Sequence, residues 1–165
     1  MSASARARTI TWEDPVAALA EARELDGLAM MKAIADGRLP PPPMAVLMNM
    51  EPVEFAAGRA VFAGLPGEEH YNPIGTVHGG WASTILDSAL GCAIQTTLPA
   101  GVAYTTLDLR VTFVRAITRE TGRVLASAEV VHRGRRVATA EARLVGEHDG
   151  RLLAHGGASC VILEG

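Results

Sequence analysis

The chain is poor in cysteine and in net charge, and it has no long apolar run. Only Cys92 and Cys160 are present among 165 residues. That excludes a secreted disulfide scaffold and a four-cysteine zinc site. His132, His148 and His155 show no ligand spacing with acids or other cysteines, so no metal is expected. A net charge of −3 lacks the basic footprint of a nucleic-acid binder. No apolar stretch reaches the ~18 residues of a membrane span. Arg6 and Arg8 near the N-terminus are not followed by the apolar segment that a secretory signal needs. A cytoplasmic protein with no membrane or nucleic-acid partner is the resulting expectation. What the chain does have is 48% apolar residues over a one-domain length, enough to bury a core without staples.

Residues 1–12 read as a frayed lead-in. Asp14-Pro15 is a helix start, a capping acid followed by proline where its missing N–H does no harm. Apolar residues recur at Val16, Leu19 and Ala20, and again at Leu28, Met31 and Ile34. This predicts two short helices, or one broken near Gly27, ended by Pro40–Pro43. The chain thus divides into an N-terminal helical extension, 1–43, and a main domain, 44–165. Ala45–Phe55 and Arg59–Leu65 read as a strand pair, with Pro52 marking an edge or broken strand. Gly79–Thr97 reads as a helix. Leu107, Leu109, Val111 and Phe113 alternate with Thr106, Asp108, Arg110 and Thr112, the period of a strand. Strands at 123–132, 135–145 and 151–163 follow on short turns, which makes the sheet antiparallel. The 79–97 helix is the segment best able to cover it.

Between Glu69 and Asp108 the chain carries one formal charge, Asp87, in the middle of that helix among small and apolar neighbours. Burying an ionised carboxylate costs several kcal/mol unless it is paired or hydrogen-bonded. Asp87 is therefore either a solvated acid on an exposed stripe with Ser83, Thr84 and Ser88, or a poised base or nucleophile with a raised pKa. Just before the helix, Asn72-Pro-Ile-Gly-Thr-Val-His78-Gly79-Gly80 delivers two glycines at its start. Free N–H groups and the positive end of the helix dipole meet there, and glycine lets a ligand oxygen approach the backbone. Such donors can form an oxyanion site. Taken alone, His78 could be a core histidine and Asn72 a turn residue. Gly79 and Asp87 are eight residues apart, ~12 Å of rise and ~80° of rotation on a helix. If both serve one reacting group, the site should combine two chains across a two-fold axis.

Asn72–Gly80, Leu86-Asp87, Gly91, Thr105–Leu109, Phe113, Val131–Val137 and Gly150–Ala154 resemble the acyl-CoA thioesterases of the hotdog fold, specifically the phenylacetate-pathway (PaaI-like) group. The resemblance covers roughly 45–163. It implies an α+β hotdog fold, an antiparallel sheet wrapped around a long central helix, with 13–43 as an elaboration. It also implies a homodimer with shared active sites, often paired into a tetramer.

By this resemblance, the Gly79 N–H and the Asn72 amide polarise the thioester carbonyl, and Asp87 of the other subunit activates water or attacks directly. Thr106 helps hold that water or the carboxylate, although strand alternation places it opposite Leu107 and Leu109, and Thr105 could serve instead. His78 orients Asn72 or supports the leaving thiolate, and Gly80 contributes to substrate binding. Arg133, Arg135 and Arg136 form either a solvated turn or a clamp for coenzyme A phosphates, since guanidinium groups match phosphate geometry. Arg115 is a further candidate. No cofactor is expected, coenzyme A being part of the substrate. Hydrolysis of an acyl- or aroyl-CoA is the leading reading. An acyl-thioester hydratase or dehydratase is an alternative, against which stands the lack of a proline-rich surround at His78-Gly79-Gly80. A non-catalytic acyl-CoA-binding protein is the other. Cys92 and Cys160 read as small buried hydrophobes. Trp81, Met48, Met50 and Phe62 could shape a pocket or simply pack a core.

Overall fold

In the computed structural model, residues 5–163 are described. Three N-terminal helices, α1 (Pro15–Arg23), α2 (Gly27–Ala35) and α3 (Pro43–Leu47), precede the strand pair β1 (Met50–Ala56) and β2 (Arg59–Gly64). The long helix α4 (Gly79–Gln95) follows. Then come β3 (Ala103–Phe113), β4 (Val124–Arg133), β5 (Val137–Gly146) and β6 (Leu152–Leu163). The six strands form one antiparallel sheet in the order β1-β2-β4-β5-β6-β3. β3 therefore leaves its sequence neighbour β4 and pairs with β6 at the far edge.

The sheet folds around α4. Trp81, Ile85, Leu86, Ala89, Leu90, Ala93 and Ile94 are buried along the helix. They press on a sheet face rich in alanine: Ala126, Ala128, Ala138, Ala140, Ala142, Ala154 and Ala158 are all buried. Small side chains there let the helix sit close to the strands, and larger ones on the helix fill the space between. This is the α+β hotdog architecture expected from the sequence.

The N-terminal helices follow their caps. The Asp14 and Asp26 carboxylates accept from the N–H groups of Val16 and Ala29, starting α1 and α2. The break falls at Gly27 because α2 begins directly against the end of α4. Its N–H donates to the Leu98 carbonyl, and a side chain there would collide with the Gln95 carbonyl oxygen. Met31 of α2 joins the main core cluster. The predicted lead-in is partly tied down. Arg6 pairs with Glu68 at 2.6 Å, and Arg8 pairs with Glu69 at 2.9 Å while donating to the Val46 and Leu47 carbonyls. Residues 1–4 of that prediction lie outside the described residues.

Two strand predictions need correction. Ala45–Leu47 belongs to α3, because Pro43 presets the first helical turn and Ala45 is drawn into the core. In β3, a bulge between Thr106 and Asp108 resets the alternation. Leu107 is the extra residue, 63% exposed. Thr106 thus faces inward in register with buried Cys160, on the same side as Leu109, rather than opposite it. Trp81, Phe62 and Met50 are buried core, and the Trp81 indole N–H donates to the Met48 carbonyl at 2.9 Å.

Candidate functional site

The predicted site residues gather in two places along α4. The first is its N-terminus. Asn72 closes a tight loop: its Oδ1 accepts from the N–H groups of Ile74 (3.0 Å) and Thr76 (3.3 Å), and its Nδ2 donates to Thr76 Oγ1 at 3.0 Å. Gly75 in that loop has φ +83°, which only glycine adopts without strain. One hydrogen of the Asn72 amide remains for a ligand, since the group carries two. A Tyr71–Val77 bridge and the Asn72 N–H to Thr76 carbonyl bond hold the loop base against α4.

His78 caps α4. Its Nδ1 accepts from the Gly80 N–H at 2.8 Å. His78 thus spends its Nδ1 on the helix start, where it satisfies the Gly80 N–H, and no hydrogen bond joins its side chain to Asn72 among the described residues. Among the described residues the Gly79 N–H has no acceptor, which leaves it the free donor at the positive end of the helix dipole. Gly79, Thr76, Phe113 and Arg115 line a cavity of ≈430 Å³.

The second place is the middle of the helix. Asp87 lies on a half-buried stripe with Ser83, Thr84, Ser88 and Cys92, so the polar stripe considered from the sequence exists. The carboxylate is nonetheless engaged: Thr106 Oγ1 donates to Asp87 Oδ1 at 3.2 Å, and the Cys160 thiol lies 3.9 Å from the same hydroxyl. Thr105 is exposed. The bulge at Leu107 is what aims Thr106 at the helix. Among the described residues no cation pairs with Asp87.

Burial, and then the Asp87 carboxylate, push the Cys92 thiol up to about 12. Burial also raises Cys160. Neither thiol is a nucleophile at neutral pH. Iodoacetamide at pH 8 is expected to leave both unmodified in the native protein, as read by intact mass. Rapid modification of either one would contradict this assignment.

Within one chain, then, Asp87 meets Thr106, and Asn72 closes the loop that leads into Gly79, but Gly79 and Asp87 sit two helical turns apart, ~12 Å. Arg133, Arg135 and Arg136 are exposed at the β4–β5 hairpin. None forms an ion pair among the described residues. The tip adjoins the row Val137–Val161–Thr105, two strands across from β3 or ~10 Å. A larger depression, ≈710 Å³, lies on the outer face of the sheet and contains none of the predicted residues. No three His, Cys, Asp or Glu among the described residues are grouped to hold a metal ion, and no helix there is long and apolar enough to cross a membrane.

Sequence reasoning overlooked His70. Its Nδ1 accepts from the Gly67 N–H at 2.9 Å, its carbonyl accepts from the His78 N–H, and its ring lies 5.8 Å from that of Trp81. Its buried Nε2 has no partner among the described residues. Nothing in the local pattern distinguishes it from a loop histidine.

The sequence model of the Thioesterase superfamily matches residues 74–153, a span that holds both Gly79 and Asp87. The phenylacetic acid degradation protein PaaI of Thermus thermophilus is 30% identical, with a TM-score of 0.66 over 73% of this chain and 98% of that one. The chain belongs to the thioesterase superfamily. A thioesterase family protein of Silicibacter pomeroyi has a TM-score of 0.73 at 26% identity, over 84% of this chain and 99% of its own. Human acyl-coenzyme A thioesterase 13 is 28% identical over 111 residues, 67% of this chain and 78% of that protein. A protein of Halobacterium salinarum named as an esterase is 41% identical over 73 residues, so this chain spans about half of it, 46%. Membership makes this chain a thioester hydrolase, and the residues above are what it has for that chemistry.

Proposed function

We propose that this thioesterase is of the PaaI-like group and hydrolyses an acyl- or aroyl-CoA to the free acid and coenzyme A, with no cofactor, as a homodimer with shared sites. The observation that carries this reading is Asp87. It is the only charge along α4, it has no cationic partner among the described residues, and Thr106 holds it in place.

In this mechanism the thioester carbonyl of the substrate sits between the Gly79 N–H and the free hydrogen of the Asn72 amide. Both donors stabilise the negative oxygen that forms on attack. Asp87 of the partner subunit takes a proton from water as the water oxygen bonds to the carbonyl carbon. The C–S bond then breaks, and the thiolate leaves with that proton returned by Asp87. Direct attack by the carboxylate, giving a mixed anhydride that water then opens, is the other course for the same groups. Assembly is supported by the edge of β3, an eleven-residue strand with one side unpaired. Exposed Leu107 and Phe113 lie along it. A bare edge of this length invites pairing with another strand, and a second copy satisfies it.

The test is a panel of short, long and aromatic acyl-CoA substrates read by release of free thiol. Release supports the reading. Its absence throughout the panel favours a binding module, and hydration of an enoyl thioester without thiol release favours the hydratase.

The exposed arginines of the β4–β5 hairpin give a separate prediction. Arg135→Ala or Arg136→Ala should raise KM for CoA thioesters more than it lowers kcat, because phosphate contacts are present in ground and transition states alike. The comparison is a truncated pantetheine thioester, on which these variants should match the wild type. Equal losses on both substrates would exclude a phosphate clamp.

A further inference from the structure

Helix α1 has no buried residue. A helix this short is marginal in water unless one face is packed. Its capping acid, the Gly101 N–H donating to the Arg23 carbonyl at 3.1 Å, and half-buried Ala18 and Ala22 attach it to its own chain. A second apolar stripe looks away from the chain. Trp12 just before the helix and Val16 and Leu19 on it follow at i, i+4 and i+7, and they are 58%, 72% and 43% exposed. Between α1 and the start of β3 lies a cavity of ≈470 Å³, lined by Leu19, Met30, Gln95, Val102 and Ala103 among others.

That start of β3 is also the acid's half of the strand. Thr106 bonds Asp87, and the Tyr104 ring lies over Gly91, whose missing side chain admits it. The other end of β3 belongs to the donors. The Phe113 ring lies against Gly79, its Cζ 3.0 Å from the place of a Cβ there, and Phe113, Val114 and Arg115 line the ≈430 Å³ cavity at Gly79. Phe113 and Val114 are 55% and 43% exposed, and Ile74 of the Asn72 loop is 83% exposed. The length of β3 keeps the two cavities ~30 Å apart in one chain. An antiparallel pairing of two β3 edges about a two-fold sets the start of one strand against the end of the other. It carries the cavity under α1 of one subunit up to the cavity at Gly79 of its partner. The charges match along the same line. Residues 13–24 hold Glu13, Asp14, Glu21 and Glu24 against Arg23 alone, whereas residues 110–119 hold Arg110, Arg115 and Arg119 and no acid. None of these forms an ion pair among the described residues. An acidic helix facing a basic strand end is the complementarity of an interface.

We infer that α1 of each subunit docks on the end of β3 of a second copy of this chain, where it covers Phe113 and Val114 and roofs the cavity at Gly79. The inference rests on the shared-site homodimer above and gives the N-terminal extension a place in it. Each site then has three parts. One subunit supplies the donors at Gly79 and Asn72. The other supplies Asp87 and, because α1 lies at the acid's end of β3, the roof as well. Docking takes the Trp12–Val16–Leu19 stripe and the exposed Phe113 ring out of water together. It also keeps water away from the oxygen that the Gly79 N–H stabilises, and that hydrogen bond is stronger in a dry site.

The experiment places Leu19→Cys and Val114→Cys in the full chain and treats it with a short bismaleimide. The two positions stand ~30 Å apart within one chain, so the reagent joins them only between subunits. A covalent dimer on a denaturing gel is expected, absent from the wild type and from either single variant. Light scattering on the same samples gives the oligomeric state. A dimer that yields no covalent link overturns the docking and leaves the homodimer intact, whereas a monomer overturns both. The roof is read from Val16→Lys/Leu19→Lys, which sets two cations against the partner's arginines at positions that are exposed in the single chain. With folding established by circular dichroism, this variant should remain a dimer through β3, and its kcat/KM for acyl-CoA thioesters should fall at least ~10-fold. An unchanged kcat/KM in the folded dimer overturns the roof. No thiol release from the wild type overturns the acyl-CoA reading and the roof with it, while the cross-link still decides the docking.

Discussion

Asp87→Asn is expected to cut thioester hydrolysis by at least ~100-fold while leaving the fold in place. The amide has the shape of the carboxylate, and its oxygen can still accept from Thr106 Oγ1. No ion pair is broken among the described residues, because Asp87 makes none. What is lost is the ability to take a proton from water or to attack the carbonyl, and α4 carries no second carboxylate. Ser83 and Thr84 are occupied with the carbonyls of Gly79 and Gly80, and the Cys92 thiol is held protonated. Steady-state kinetics with thiol release and a thermal unfolding curve check both halves. An Asp87→Asn protein with near-normal turnover would remove the acid from the mechanism. One that failed to fold would show that the Thr106 bond depends on the charge.

The strands from 124 to 163 were legible because apolar and polar residues alternate and turn residues punctuate them. The limits of α4 followed from Gly79 and from the Leu98–Gly101 stop. Three features were not legible, each for a physical reason. Pro43–Leu47 is five mostly apolar residues, too short to show a helical period, and its apolar content mimics a strand. The bulge at Leu107 inserts one residue into a two-residue alternation. The pattern therefore put Thr106 on the wrong face, while the resemblance pointed to its use beside the acid. The pairing of Tyr104 with Gly91 joins two elements that no local pattern connects. At the loop, sequence reasoning singled out Asn72 and His78. It could not see that His78 spends its Nδ1 on Gly80, or that Asn72 holds its own loop with three hydrogen bonds.

That last point shapes the test of the shared site. Asn72→Ala would remove the acceptor of the Ile74 and Thr76 N–H groups and damage the loop along with any oxyanion contact. Asn72→Asp keeps the acceptor oxygen and removes the donor, so it is the cleaner partner for Asp87→Asn.

Each variant alone is expected to be inactive. Co-expressed, they pair at random, and about half of the dimers are mixed. In a mixed dimer with shared sites, one site receives a wild-type Asn72 together with a wild-type Asp87, and the other receives both defects. The mixture should then recover roughly a quarter of wild-type activity, and the heterodimer, purified with two affinity tags, about half per dimer. If each site were built within one chain, every site in the heterodimer would carry one defect. The measurement is the thiol-release rate of the purified heterodimer: about half of wild type is the result predicted, and a rate no higher than that of the parent variants would contradict a site shared between Asp87 of one subunit and Asn72 of the other.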